Sequence, residues 1–419
     1  MQPGRWDDIF QKVLNDLLSE TEIVRAGKSR SVGSERSTLE RLNYQFVLSD
    51  PRDRILWNPM RRFNVYGAIA RFLWMLSGNE RLKDIAFYEP KVLGFSDDAL
   101  TVPGSNYGKR LFMPEPGLDQ IRAIIDRLQK EPGTRRAAAV VYRPEDAVRT
   151  SRDIPCAFGL AFHARGGRVH TTMIMRSNAA WTLLPYNLFE FTLLGELVAV
   201  LAGMELGQYT HLALSMHIYT GEDPKTDERE PAMAASRAKL PELPPPMPPM
   251  PQTSFDEIQR VTQWEAELRY DAKAINVTNY RDYIRKCCDN CQPYWTQLCL
   301  PLLAYVLFVQ KKIAAGMTVL AEVEEPLRTA LVDHEMVRAL NIPGLEEDAV
   351  LLESRLNLLR YADGSAIGEA RREVLWRVYN TDYVKGLEAV EPGERRRQTA
   401  LSLNEWERRN REFEQRDLF

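Results

Sequence analysis

The chain has 419 residues, of which 44% are hydrophobic and 27% are charged, and its formal net charge is −3. This composition is typical of a globular protein and excludes a predominantly disordered chain. The slightly negative charge argues against nucleic-acid binding through a general basic surface, so an anion site must come from local groups of arginines. We therefore expect no nucleic-acid partner.

The cysteine pattern and the N-terminal segment bear on the cellular compartment. Four of the five cysteines lie between residues 287 and 299, which differs from the even spread of a secreted disulfide framework. The first residues lack the apolar core of a signal peptide, and no stretch reaches the roughly 18–20 apolar residues that span a bilayer. These features predict a reduced, cytoplasmic protein without a membrane partner.

Hydrophobic periodicity predicts alternating helices and strands over the first 221 residues. The predicted helices cover 6–25, a buried segment from 63 that ends at Gly78, 117–133, and 185–203. The predicted strands cover 37–48, 137–144, 156–165, 168–177 and 207–221. A Gly166-Gly167 turn joins two of these strands into a hairpin.

A proline-rich segment, 240–254, then divides the sequence. Proline at this density favours a semi-rigid extended connector. Residues 255–419 show long helical patterns and no convincing strand. The sequence thus predicts an α+β domain over 1–239, a linker over 240–254 and an all-α domain over 255–419.

Cys156 stands alone, directly after Pro155 and before an apolar strand. A lone cysteine is more often an inert buried thiol than a nucleophile, because a reactive thiolate needs positive charge nearby. Arginines that could supply such charge, and whose paired N–H groups suit phosphate, are Arg30, Arg135, Arg136 and Arg176. Taken one at a time, each could equally be a solvated surface charge.

Several short motifs, over roughly residues 6–225, occur in an order that resembles that of the thymidylate synthase superfamily. A Pro-Cys pair is followed by Arg-Ser, then by Pro-aromatic-Asn at the start of a long helix, then by an HIY strand. The matching segments are "SRSVGS", "RFLWMLSGN", "SNYGKRL", "TRRAAAVVY", Pro155-Cys156, Arg176-Ser177, Pro185-Tyr186-Asn187 and His217-Ile218-Tyr219. The resemblance implies a mixed sheet with helices on one face, and a homodimer with shared active sites.

The resemblance also implies a role for each matching residue. Cys156 would add as a thiolate to position 6 of a pyrimidine ring, which makes position 5 able to attack a one-carbon unit. Arg176 would lower the pKa of that thiol, and Tyr107 would take part in proton transfer. The implied phosphate-binding residues are Arg30, Arg176 and Ser177, together with Arg135 and Arg136 from the other subunit. Asn187 would bind the base, and His217 and Tyr219 would bind the sugar.

Three positions depart from the family pattern. Arg71 stands where the family has a proton-relaying glutamate, Ala157 stands where a histidine is common, and Ala179 replaces an aspartate that helps bind folate. The family's short C-terminal tail is replaced by the proline segment and the helical region. Nucleotide binding is therefore expected to persist, while 5,10-methylenetetrahydrofolate, the donor that the resemblance implies, is put in doubt by Arg71 and Ala179.

Two further residues bear on substrate and mechanism. The Asn187 amide offers both a donor and an acceptor, as a uracil edge requires, so a dUMP- or UMP-like nucleotide is favoured over a CMP-like one. Glu190 is the one acid in this region that could replace the missing relay glutamate. A charge at the helix start, or a dimer-interface residue, is the favoured interpretation of Glu190.

The cysteines at 287–299 have no histidine nearby and lack two separated Cys-x2-Cys pairs. Packed helix cysteines are the favoured interpretation, with zinc or an iron–sulfur cluster as the alternative, so no metal is expected.

Three functions remain open at this point. The first is a C1-transferase that modifies a pyrimidine nucleotide at position 5 by hydroxymethylation or methylation. The second is a nucleotide-binding sensor without folate chemistry, and the third is a nucleotide-cleaving enzyme. The helical region is expected to reinforce a dimer, cap the cleft or dock a partner.

Overall fold

The structure, a computed structural model, describes residues 4–20, 22–28, 35–113, 115–221, 227–310, 312–332 and 408. The strands are β1 Ile23–Lys28, β2 Glu35–Leu48, β3 Ala138–Val140, β4 Ala157–Arg165, β5 Arg168–Met175, β6 Asn178–Ala179 and β7 Glu205–Thr220. The helices are α1 Trp6–Leu18, α2 Val65–Ser77, α3 Leu82–Ala86, α4 Tyr107–Phe112, α5 Gln120–Lys130, α6 Pro144–Val148, α7 Leu184–Leu201, α8 Arg229–Ser236, α9 Phe255–Tyr270, α10 Tyr280–Asn290, α11 Pro293–Val309, α12 Ile313–Ala321 and α13 Leu327–Val332, with a 3-10 turn at Pro90–Phe95.

The strands form one mixed sheet in the order β1-β2-β7-β5-β4-β3, and β6 pairs with the end of β7. β5 and β6 run parallel to β7, whereas the other neighbours are antiparallel. The β4–β5 hairpin turns at Gly166 and Gly167, whose φ angles of 57° and 77° are readily adopted only by glycine. The predicted α+β class with a mixed sheet is confirmed.

Helix α7 lies at the centre of the core, where it packs on α2, β5 and β7. Among the described helices, only α7 is long and apolar enough to span a bilayer by length and composition, but 83% of that stretch is buried inside the protein. Glu190 and Glu196 are charged residues buried within it. An apolar helix enclosed in this way is a core element of the sheet–helix sandwich.

The N-terminal helix is shorter than predicted. Its last residue is Leu18, and residues 23–25 of the predicted helix instead begin the edge strand β1, which pairs with β2. The β-branched pair Ile23-Val24 gains ladder hydrogen bonds there, which outweighs the weak helical periodicity.

The helices after the proline segment share one hydrophobic core with the rest of the described chain. α9, α11 and α13 contact α2; Phe72 stacks on Trp295 with centroids 6.4 Å apart, and the Tyr66 hydroxyl donates to the Leu331 carbonyl at 3.2 Å. These helices therefore cover the helix that carries Arg71. Residues 333–407 and 409–419 of the predicted all-α domain lie outside the described residues.

The proline segment is bonded to the sheet domain along its length. Arg5 donates to the Pro244 carbonyl at 2.7 Å, and the Met250 N–H donates to the buried Glu196 carboxylate at 2.9 Å. The segment thus lies on the domain surface, and the division at 239 and 255 stays a prediction.

Candidate active site

Cys156 immediately precedes β4, at the end of the sheet where β5 finishes. Its carbonyl accepts a hydrogen bond from the Arg176 N–H at 2.6 Å, and Arg176 Nε donates to the Pro155 carbonyl at 3.3 Å. The hairpin pairing of β4 with β5 therefore places a guanidinium beside the Cys156 thiol. The terminal nitrogens of Arg176 have no hydrogen-bond partner among the described residues, so they are available to a ligand.

Burial and charge act in opposite directions on the Cys156 thiol, which is half-buried. Burial raises the pKa of Cys156 above its ordinary value, and the Asp153 carboxylate raises it further, whereas Arg176 and Arg71 lower it. A thiolate at this position therefore depends on its two arginine neighbours.

Asp153 is a site residue that the sequence pattern did not indicate. Its buried carboxylate accepts hydrogen bonds from the Gly104 N–H at 2.6 Å, the Ser105 N–H at 3.1 Å and the Ser105 hydroxyl at 2.5 Å. These bonds join the loop before Cys156 to the loop before Tyr107. The bonded residues are 48 or 49 positions apart in sequence, so no local sequence pattern predicts the contact.

Tyr107 begins α4 and stacks on Phe191 of α7 with ring centroids 5.7 Å apart. Burial, and then the charges of Cys156 and Glu190, raise the pKa of its hydroxyl, so the group stays protonated. That hydroxyl has no hydrogen-bond partner among the residues described here. Tyr107 thus presents a proton donor toward the thiol and the acid.

Arg71 of α2 and Glu190 of α7 form an ion pair in the same cleft. Arg71 Nε lies 2.5 Å from Glu190 Oε1, with side-chain exposures of 14% and 4%, and the guanidinium lies 5.9 Å from the centre of the Tyr186 ring. Burial raises the pKa of Glu190, and Arg71 opposes this effect. Glu190 lies well inside α7, so the favoured interpretation as a helix-start charge is wrong.

Asn187 lies one helical turn before Glu190 and is 3% exposed. Within the described part of the chain, its side-chain amide has no hydrogen-bond partner, and neither does the half-buried Ser177 hydroxyl. Both groups are therefore poised for a ligand.

His217 and Tyr219 lie near the end of β7, with ring centroids 5.0 Å apart. His217 is paired with Ala179 of β6, and its carbonyl accepts the Ala180 N–H at 2.7 Å. Because β6 directly follows Arg176-Ser177, the sheet brings His217 to the same end as Arg176.

The other predicted phosphate-binding arginines are not brought together with Cys156 in this chain. Arg135 and Arg136 are exposed and precede β3, whose register (Ala138 opposite Ala161) places them beside the far end of β4. At about 3.3 Å per residue, this is roughly 25 Å from Cys156. Arg30 lies outside the described residues.

A family model for thymidylate synthase matches residues 10–283, well over half of the chain. The chain belongs to the thymidylate synthase family. The predicted superfamily is thereby confirmed.

Curated relatives in this family carry two different names. A "Deoxyuridylate hydroxymethyltransferase" of Bacillus phage SP01 is 26% identical over 224 residues, covering 50% of this chain and 56% of that protein. A "Putative thymidylate synthase" of Methanocaldococcus jannaschii is 36% identical over 125 residues, covering 28% and 56%. The chain thus spans a little over half the length of these relatives. A solved structure, the thermostable thymidylate synthase A of Bacillus subtilis, aligns at 20% identity and TM-score 0.48 over 60% of this chain and 92% of that one.

Two positions test whether the family's reduced folate fits this cleft. Ala179 is 3% exposed and offers only a methyl group where the family pattern has an aspartate. Arg71 is already bonded to Glu190. The described residues therefore lack the family's polar contact to folate at position 179, whereas Arg71 changes the proton relay.

Proposed function

We propose that this protein binds a pyrimidine nucleoside monophosphate with a uracil-type base and modifies its carbon 5 through a Cys156 adduct. One observation carries the proposal. Cys156 lies beside Arg176, in a cleft where the Tyr107 hydroxyl, the Ser177 hydroxyl and the Asn187 amide have no partner among the described residues. The names of the phage relatives support deoxyuridylate as the nucleotide.

The chemistry of the adduct follows from the residues present. The Cys156 thiolate forms a C–S bond at carbon 6, and the displaced π electrons make carbon 5 nucleophilic. After an electrophile adds at carbon 5, loss of the carbon 5 proton and expulsion of the thiolate restore the ring. Glu190 and Tyr107 are the groups assigned to moving that proton.

Hydroxymethylation is the reaction that we assign. A one-carbon unit at the oxidation level of formaldehyde gives a hydroxymethyl group after water adds, with no net oxidation or reduction. Methylation requires a hydride as well, and hence a closely held hydride donor. The apolar Ala179 and the names of the phage relatives support the first outcome.

A homodimer completes the proposed phosphate site. Arg176 and Ser177 supply phosphate ligands from one chain, whereas Arg135 and Arg136 lie too far away within that chain. One face of the sheet also carries exposed or half-buried apolar residues that adjoin one another by register, namely Val47, Ile174 and Leu212. Pairing of this face with a second copy would bury it and deliver the second copy's arginines.

Hydrogen exchange at carbon 5 tests the adduct without any donor. Incubation of dUMP in D2O with the full chain should exchange the carbon 5 hydrogen, and Cys156→Ser should not. Addition of methylenetetrahydrofolate should then give 5-hydroxymethyl product in a mass spectrum. Tight dUMP binding without exchange would support a sensor instead, and release of free base would support the nucleotide-cleaving alternative. A 5-methyl product would overturn only the choice of reaction.

A further inference from the structure

Three cysteines converge in the helical region, far along the chain from Cys156. The Sγ atoms of Cys287, Cys291 and Cys299 all lie within 4.8 Å of one another. The three residues are 0%, 5% and 0% exposed, and all three are free thiols. Among the described residues, this is the one group of metal-ligating side chains gathered in this way.

The local fold explains the convergence. α10 ends at Asn290, and the Cys291 N–H donates to the Cys287 carbonyl at 2.9 Å, so the two side chains lie one helical turn apart. Pro293 then begins α11, which packs back on α10 and carries Cys299 to the same place. Cys288, next in sequence to Cys287, is exposed and takes no part.

We propose that Cys287, Cys291 and Cys299 form a three-thiolate site for a soft, thiophilic cation, Zn²⁺ or Cu⁺. Sulfur-only donor sets favour such cations over hard ones. With Zn–S bonds of about 2.3 Å and tetrahedral angles, sulfur atoms lie about 3.8 Å apart, which fits within the observed separation. The site would need a fourth ligand for Zn²⁺, such as water, whereas three thiolates satisfy Cu⁺.

One cation lies beside the three thiols, and it is ion-paired with Glu257. The Arg260 guanidinium donates to the carbonyl of Asn290, the residue before Cys291, at 3.0 Å. The bound metal cation would replace the thiol protons and release them to solvent.

The site would join α10 to α11, the helix that packs on α2. Trp295 of α11 stacks on Phe72, the neighbour of Arg71 in sequence. A bound cation would therefore hold the helix that supports α2. This role is independent of the proposed reaction.

Metal analysis of the full chain tests the site. After chelation under reducing conditions, the protein is loaded with Zn²⁺ in one arm and Cu⁺ in another, and bound metal is counted by elemental analysis. Wild type should hold one cation per chain in one of the arms. Cys287→Ser and Cys299→Ser should weaken binding at least about tenfold, measured against a chromophoric chelator, whereas Cys288→Ser should bind like wild type.

A second readout covers the case in which a serine variant does not fold. Co²⁺-loaded wild type should show thiolate-to-cobalt charge-transfer absorption, and the Tm of wild type should rise with the bound cation. Absence of stoichiometric metal in both arms with a folded protein would overturn the proposal. Equal metal binding by all the variants would also overturn it. A wild-type protein whose mass is lower by about 2 Da, with only one of the three thiols free, would contain a disulfide and would overturn it too.

Discussion

The two sides of the cleft differ in whether their polar side chains have partners within the protein. On the Cys156 side, which we call the open side, the terminal nitrogens of Arg176, the Ser177 hydroxyl and the Asn187 amide have no partners within the described chain. On the α2 side, which we call the closed side, Arg71 and Glu190 neutralise each other in a buried ion pair. Polar groups that bond to no protein group are available to a ligand, whereas an ion pair shows that the protein has supplied its own counter-charge.

This difference matches the pattern of family departures. Arg176, Ser177 and Asn187, which the resemblance assigns to the nucleotide, lie on the open side, and Arg71, which replaces the family's glutamate, lies on the closed side. Glu190 returns a carboxylate to that side from a different helix. The pair therefore keeps one acid and adds one base near the substrate, and the Glu89 carboxylate acts electrostatically on both members of the pair.

The largest expected effect is loss of the thiol on the open side. Cys156→Ser replaces the nucleophile by a hydroxyl that is hardly ionised near neutral pH, so carbon 5 exchange should fall at least about 10³-fold. Because the serine is nearly isosteric, the Kd for dUMP in calorimetry should stay within a few-fold of wild type. An unchanged exchange rate would remove the adduct mechanism altogether.

The next effect concerns the closed side. Arg71→Ala leaves Glu190 buried without its counter-charge, which should lower the free energy of unfolding by about 3–5 kcal/mol in urea denaturation. Arg71→Met combined with Glu190→Met should recover most of that loss, because neither charge remains. As a control, Arg168→Ala removes an exposed pair with Glu205 and should cost less than about 1 kcal/mol.

The same double variant separates stability from chemistry. If it is stable but slow in carbon 5 exchange, the pair takes part in proton transfer. If Arg71→Met/Glu190→Met exchanges at the wild-type rate, the pair is structural, and the assignment of Glu190 to the proton is wrong.

How far the sequence predicted this site depends on how local each contact is. Cys156 and Arg176 were predicted to meet, and they do, because a two-glycine hairpin fixes the register of β4 on β5. The Arg71–Glu190 pair joins two helices 119 residues apart, and single-sequence periodicity does not give the packing of α2 on α7. Residues 287 and 291 are one turn apart in any helix, but Cys299 joins them only through the α10–α11 turn. The sequence did not predict β1, because the periodicity of residues 23–28 does not reveal their pairing with β2.

A third prediction returns to the open side and concerns the base. Asn187→Asp replaces an amide that can both donate and accept by a carboxylate that only accepts. The ratio of carbon 5 exchange rates for dUMP over dCMP should fall at least about 10²-fold, since the uracil carbonyl loses its donor and the cytosine amine meets a charged acceptor. Asn187→Ala, which removes both functions, should slow both nucleotides without reversing the preference, and a preserved ratio in Asn187→Asp would place the base elsewhere.

The smallest effect is a shift in pH dependence at the boundary between the two sides. Burial raises the pKa of Cys156 and Arg176 lowers it, so Arg176→Ala should move that pKa further upward. A thiol with a higher pKa forms less thiolate at a given pH, and the rising limb of exchange at saturating dUMP should move to higher pH. Alkylation of Cys156 by iodoacetamide in the nucleotide-free protein should show the same displacement. Arg176→Lys keeps the charge and should recover much of the shift, whereas an unmoved midpoint in Arg176→Ala would mean that the thiol does not respond to this arginine.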